Sequence, residues 1–164
     1  MNNVSILPVM NLPEFDTGHE IVEELIGKLK ENKISLEDSD VIVITQKIIS
    51  KVEGRKIDIN KEDLEEVIKK ESLQIIRKRG ETIIAQTKHG FICANAGIDK
   101  SNIEEGFALL LPEDPDKTSR DIRKKIEHQT GKKISVIICD TFGRAWRKGQ
   151  TNVAIGSSGI EPLE

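Results

Sequence analysis

Residues 82–94 read TIIAQTKHGFICA. Two apolar runs, Thr82 to Thr87 and Phe91 to Ala94, flank Lys88-His89-Gly90, so the stretch is predicted to be an antiparallel hairpin. Working outward, Val41 to Thr45 (VIVIT) and Ile134 to Cys139 (ISVIIC) are continuous β-branched runs, predicted as buried strands. Between the strands lie helical patterns. Ile21, Val22, Leu25, Ile26 and Leu29 share one face behind a Thr17-to-Glu20 capping box. Asn60 is placed to cap a helix carrying Leu64, Val67 and Ile68 inward. Asp116 to Gln129 is a charged helix with Ile122 and Ile126 as its apolar stripe and Gly131 as its stop. Hairpin and strand–helix alternation coexist. The fold class is therefore read as α+β with mixed sheets, rather than a doubly wound sheet or a helical bundle.

The ends and connections give shorter readings. Val4 to Met10, broken by Pro8, reads as a strand at an edge. Phe107 to Leu111 is an apolar run stopped by Pro112, and Val153 to Ile155 is a short strand. The last residues, Gly156 to Glu164, have nothing after them to pack against. A loose tail from about Ser157 is expected there, or a contact with another chain that covers a bare sheet edge.

Composition bounds the function. The 164 residues suit one domain and a substantial core. With 25 basic and 28 acidic residues the net charge is −3, which excludes a nucleic-acid binder recognised by global charge. No apolar run approaches the roughly 20 residues of a membrane helix, so no membrane partner is expected. No basic region precedes the apolar run before Met10, so no secretory signal is read and a cytoplasmic chain is expected. Cys93 and Cys139 each stand alone and read as buried, reduced thiols. His19, His89 and His128 offer no ligand spacing and read as solvated. There is no GxxxxGK[ST], no GxGxxG and no GxSxG sequence.

The residues with chemistry cluster at strand ends. Asp140 follows Ile134 to Cys139 directly and is followed by Thr141; Asp99 follows the hairpin. Carboxylates and a hydroxyl suit a hard divalent cation that bridges phosphates. Two solvated turn-capping aspartates are the alternative reading of the same pattern. The segment DTFGRAWRKGQTN, residues 140–152, adds Arg144, Arg147 and Lys148 among glycines, a set fit to clamp phosphate or carboxylate. A solvated basic loop anchored by Trp146 is its alternative. Thr45 to Lys51 (TQKIISK) leaves a strand with two lysines; Lys51 is placed to reach a phosphate, and Lys47 reads equally as a solvated charge.

Five segments together, ILPVMNLPEF, VIVITQKIISKVEGR, HGFICANAGIDKSN, LLLPEDPD and DTFGRAWRKGQTNVAIG, closely resemble the coenzyme F420-0:L-glutamate ligase family, in order and spacing from Ile6 to the chain end. The resemblance implies the mixed α+β fold of that family. It implies a ligase that uses GTP to add L-glutamate to coenzyme F420-0 through an acyl phosphate, then a second through a γ-glutamyl link. Mg²⁺ or Mn²⁺, K⁺ and a homodimer are implied as well. Residue by residue, it implies nucleotide contacts at Leu12, Pro13, Glu14, Phe15, Gln46, Lys51 and Asn102, and metal ligands at Asp99, Asp140 and Thr141. Arg144 and Arg147 match the motif, and chemistry suggests a phosphate clamp for them. Family members run on past Glu164, so residues 1–164 are expected to be the N-terminal and central part of one ligase domain, turning over GTP poorly alone. Two further readings follow from the same residues: a nucleotide- and metal-binding fragment without turnover, and a related amide ligase for another acidic acceptor.

Overall fold

The computed structural model describes residues 4–143 and 147–162. In chain order the elements are α1 (Ile21–Glu31), β1 (Val41–Thr45), α2 (Gln46–Val52), β2 (Lys56–Asp58), α3 (Leu64–Lys70), β3 (Ser72–Arg79), β4 (Thr82–Thr87), β5 (Ile92–Ala94), β6 (Phe107–Leu109), α4 (Pro115–Thr130), β7 (Ser135–Gly143) and β8 (Gln150–Ser158). A single 3₁₀ turn, Asn95–Gly97, follows β5. The fold is α+β. Among the described residues the strands form three sheets: β1-β7-β8, β2-β6 and β3-β4-β5. β1 runs parallel to β7, whereas every other pairing is antiparallel. No helix among the described residues is long and apolar enough to cross a membrane.

The main core lies where α1, α2 and α4 meet one face of the β1-β7-β8 sheet. Val22, Leu25 and Leu29 of α1 join Ile49, Ile122, Ile126, Val136, Ile138 and Ile155 there. A smaller cluster, Ile68, Ile83, Ala85 and Ala96, sits under the β3-β4-β5 sheet. Sequence accounts for the longest helix in detail. Asp114 caps α4 by accepting from the Lys117 backbone N–H at 2.8 Å, Pro115 occupies its first turn, and Gly131 ends it at φ 71°. The start of α4 is pinned to β8: the Ser157 backbone N–H donates to Asp116 Oδ1 at 2.9 Å.

Several expectations are corrected. Residues 4–10 form no strand; Val4, Ile6, Leu7 and Met10 are exposed. The capping box is not made: α1 begins at Glu20, whose side chain caps nothing. Asn60 does not cap α3; Asp63 does, accepting from the Glu65 and Glu66 backbone N–H groups. β1 is an edge strand rather than a buried one, with Val43 61% exposed, because only one of its faces meets the core. β8 is longer than Val153 to Ile155. It continues, past a register shift opposite Ile138 and Cys139, through Ser158, opposite Val136, where a loose tail from about Ser157 was expected. β3 was not foreseen. Register shifts between Ser72 and Gln74 and between Ile75 and Arg77 break the alternation that would betray a strand.

Candidate functional site

The site lies at the C-terminal ends of β1 and β7, beside the turn after β5. There a cleft of about 640 Å³ is lined by, among others, Lys47, Asn95, Asp99, Asn102, Asp140 and Thr141. Asp140 continues β7 opposite Val153, and Thr141 sits opposite Asn152. The Thr141 hydroxyl donates to Asn152 Oδ1 at 2.8 Å, which uses its proton and leaves its two lone pairs for other partners.

Asp99 arrives from the hairpin side. Asn95, Ala96 and Gly97 are all left-handed, at φ 51°, 53° and 76°. Such a run is strained for the alanine and turns the chain sharply. Asn95 Oδ1 holds the turn by accepting from the Ile83 backbone N–H at 3.0 Å. A Cβ on Gly97 would stand 2.7 Å from Leu111 Cδ1, so the turn packs tightly on the main core. Two backbone hydrogen bonds with Leu109, at 2.8 and 2.9 Å, then fix Asp99 itself.

The two carboxyls are driven apart electrostatically. Burial pushes the Asp140 carboxyl above its ordinary range and the nearby Asp99 charge adds to this, against the Thr141 backbone N–H, the Lys47 ammonium and the Gln46 amide. Burial would raise Asp99 too, but the Ser101 backbone N–H at 2.6 Å, the Ser101 hydroxyl and Lys47 outweigh it and hold Asp99 below the usual value. Lys47 pairs with Asp99 Oδ2 at 3.0 Å.

Gln46 opens α2 and is fully buried; its Oε1 accepts from Ser50 at 2.8 Å. Its Nε2 has no hydrogen-bond partner of normal geometry, although the amide lies close enough to Asp140 to lower that carboxyl. A buried donor left over beside two carboxylates marks a site built for more than packing. Oxygen donors from Asp99, Asp140 and Thr141 fit a hard cation, with phosphate and water to complete the shell. Among the described residues no three His, Cys, Asp or Glu side chains converge, so the protein's share of such a shell is the two carboxylates and the hydroxyl.

The other sequence-predicted residues fall as follows. Leu12, Pro13 and Glu14 lie in the extended segment before α1, with Phe15 buried in it. Lys51 of α2 forms an ion pair with Glu14, so the two segments in which the resemblance implies nucleotide contacts adjoin. Asn102 is exposed at the cleft, at φ 54°. Arg147 is exposed in the loop before β8, and Arg144 lies outside the described residues, as does Trp146. Cys93 is buried at the cleft, its thiol pushed up to about 11 by burial and then by Asp140, so it is no nucleophile near neutral pH. His89 is half-buried rather than solvated. It stacks on Phe91 with ring centroids 6.1 Å apart and contacts the Glu113 carbonyl at 3.1 Å. The sequence reading named Lys47 beside Lys51 but left a solvated charge equally open, and its pairing with Asp99 was not foreseen, because a lysine two positions past a strand carries no sign of what it will meet.

Comparison with known proteins identifies the family. The family profile described as F420-0:Gamma-glutamyl ligase matches residues 9–66 and 61–164. A protein of Methanothermobacter thermautotrophicus named coenzyme F420:L-glutamate ligase is 37% identical over 98% of this chain, which spans 70% of that relative. Its namesake from Methanocaldococcus jannaschii is 42% identical over 94% of the chain, which spans 67% of it. One from Methanococcus maripaludis is 41% identical over 79% of the chain, covering 58% of that protein. On the profile match over nearly the whole chain and on these relatives, the chain belongs to the F420-0:gamma-glutamyl ligase family.

Proposed function

We propose that this chain provides the nucleotide- and metal-facing part of a ligase that joins L-glutamate to coenzyme F420-0 with consumption of GTP. The observation that carries the reading is the meeting of Asp99 and Asp140, from different elements, in one cleft with Thr141 and Asn102. In the first step a carboxylate oxygen of the acceptor attacks the γ-phosphorus of GTP, and the bond to the β-phosphate oxygen breaks, giving an acyl phosphate and GDP. In the second, the glutamate amine attacks the acyl carbon, phosphate leaves, and the nitrogen loses a proton to give the amide. Neither step needs an enzyme nucleophile, in keeping with the buried, protonated Cys93.

Asp99, Asp140 and Thr141 would hold Mg²⁺ or Mn²⁺, which when bound supplies positive charge against phosphoryl oxygens. The residues of this chain do the positioning. Thr141 is oriented by Asn152, and Asp99 is held by the left-handed turn and by Leu109. Lys51, on release from Glu14, would turn to the nucleotide phosphates, and Arg144 and Arg147 would complete the clamp. K⁺ and a homodimer, in keeping with the family resemblance, belong to the same proposal.

The purified chain with GTP, Mn²⁺, K⁺, coenzyme F420-0 and L-glutamate is expected to bind GTP and to yield GDP and glutamylated F420 only slowly, read by mass spectrometry. Binding of GTP with neither product would instead favour the nucleotide- and metal-binding fragment. Conversion of another carboxylate acceptor in preference to F420-0 would overturn the substrate. Lys51→Ala is expected to weaken GTP about ten- to a hundredfold and guanosine far less, since a charged phosphate contact contributes about 1.5–3 kcal/mol. Calorimetry of both ligands separates this from a lysine that only packs, which would weaken both equally.

A further inference from the structure

Lys47 sits in an oxygen cage. Its ammonium lies 3.0 Å from Asp99 Oδ2, 2.6 Å from Ser101 Oγ and 3.3 Å from the Ser101 carbonyl oxygen. An ammonium has three protons, and three acceptors are present. Carboxylate, hydroxyl and carbonyl oxygens are also the donor set of a hard cation. The pair beneath it carries two negative charges when both carboxyls ionise, and both carboxylates line the same cleft. Among the described residues, Lys47 is the cation that pairs with either carboxylate. The fully buried Gln46 amide, unpartnered beside Asp140, leaves room in the bonding pattern for one more arrangement of this cluster.

We propose that Lys47 is a built-in counter-cation for the Asp99–Asp140 pair. Its ammonium offsets one charge of the pair in the empty cleft and must leave Asp99 before a divalent cation can take the same lone pairs. The inference rests on the reading of Asp99 and Asp140 as metal ligands. It adds that a residue with no direct bond to the metal sets how tightly that metal is held. A displaced ammonium stays tethered at the start of α2, free to face an anionic group entering the cleft.

Competition by a tethered cation weakens apparent affinity for the incoming one. Removing the ammonium while keeping the length of the stem should therefore tighten divalent binding. Mn²⁺ titrations of the full chain, with free Mn²⁺ read by electron paramagnetic resonance, test this without turnover. Lys47→Met and Lys47→Gln are expected to bind Mn²⁺ about tenfold more tightly than the wild type, the lower end for losing one charge-assisted contact. Asp99→Asn is expected to abolish that site. Folded variants that bind Mn²⁺ with unchanged or weaker affinity overturn the proposal while leaving the metal reading intact. Absence of Mn²⁺ binding from the wild type and both variants overturns the metal reading and the proposal together. Should either variant fail to fold, the wild type still decides. With lysine Cε labelled with ¹³C, saturating Mg²⁺ must shift the Lys47 resonance, and a Lys47 signal that stays in place as Mg²⁺ binds rules the displacement out.

Discussion

Asp140 carries a carboxyl that ionises less readily than an ordinary aspartate, beside Asp99, which ionises more readily. The stability consequence has a definite sign. The folded-state value of Asp140 lies above the ordinary 3.8, so the folded chain binds its proton more tightly than the unfolded chain does. The stabilisation from the protonated form is complete below the ordinary value and is lost as the pH rises through the raised one. At neutral pH the ionised group therefore opposes folding. Asp140→Asn is expected to raise the melting temperature of the metal-free chain at neutral pH, with the advantage shrinking as the pH falls toward the ordinary carboxylate range. The same variant is expected to lose Mn²⁺ binding. A variant less stable than the wild type at neutral pH would show that the carboxylate is held by contacts stronger than its burial. A residue that destabilises its own fold is what a ligand site requires, since the ligand then repairs the deficit.

Elements are positioned by close backbone approach as much as by apolar periodicity. A Cβ on Gly156 of β8 would stand 2.4 Å from the Pro115 carbonyl carbon and oxygen, which are backbone atoms at the start of α4. Gly156→Ala is expected to destabilise the chain by about 1–3 kcal/mol, toward the upper end because the obstacle cannot rotate away. Gly143→Ala, with nothing within 4 Å of its Cβ, is the control and should be nearly neutral. Urea midpoints with unchanged slopes measure both. Such contacts explain what the sequence could and could not reveal. The apolar stripe of α1, the Gly131 stop of α4 and the β4–β5 hairpin are local signals and were readable. The helix caps at Glu20 and Asp63 were misjudged because several cap-forming residues stood near each start. The exposure of Val43 was hidden because a β-branched run marks a strand without saying whether both faces are covered. Within the site, Asp99 and Asp140 were legible as strand-end carboxylates. Their meeting with Lys47 depends on the part of β7 that runs past the end of β1 and on a left-handed turn, brought together only by the tertiary fold.

Over the whole molecule, stability is divided between the two clusters. The main core is large and joins α1, α2, α4 and the β1-β7-β8 sheet. The second has four buried residues beneath a sheet whose outer strand, β3, is exposed along nearly its full length. Small cores with exposed hydrogen bonds open at lower free energy. Hydrogen exchange is therefore expected to be slowest in β7 and faster in β3 and β4. Asp99 follows the turn that closes over the smaller cluster, whereas Asp140 belongs to the central sheet. A divalent cation gripping both carboxylates would tie the two regions together. At a hundred times its dissociation constant, Mn²⁺ bound only to the folded chain adds about 2.7 kcal/mol. Mg²⁺, in place of Mn²⁺ where paramagnetism interferes, is expected to slow exchange at Asn95 to Asp99 and in β4, with a smaller change in β7, whose amides already open only with the whole chain. Slowing confined to β7, or absent from the turn at saturating Mg²⁺, would mean that the cation does not bridge the two aspartates. The smaller cluster would then be stabilised by its own packing alone.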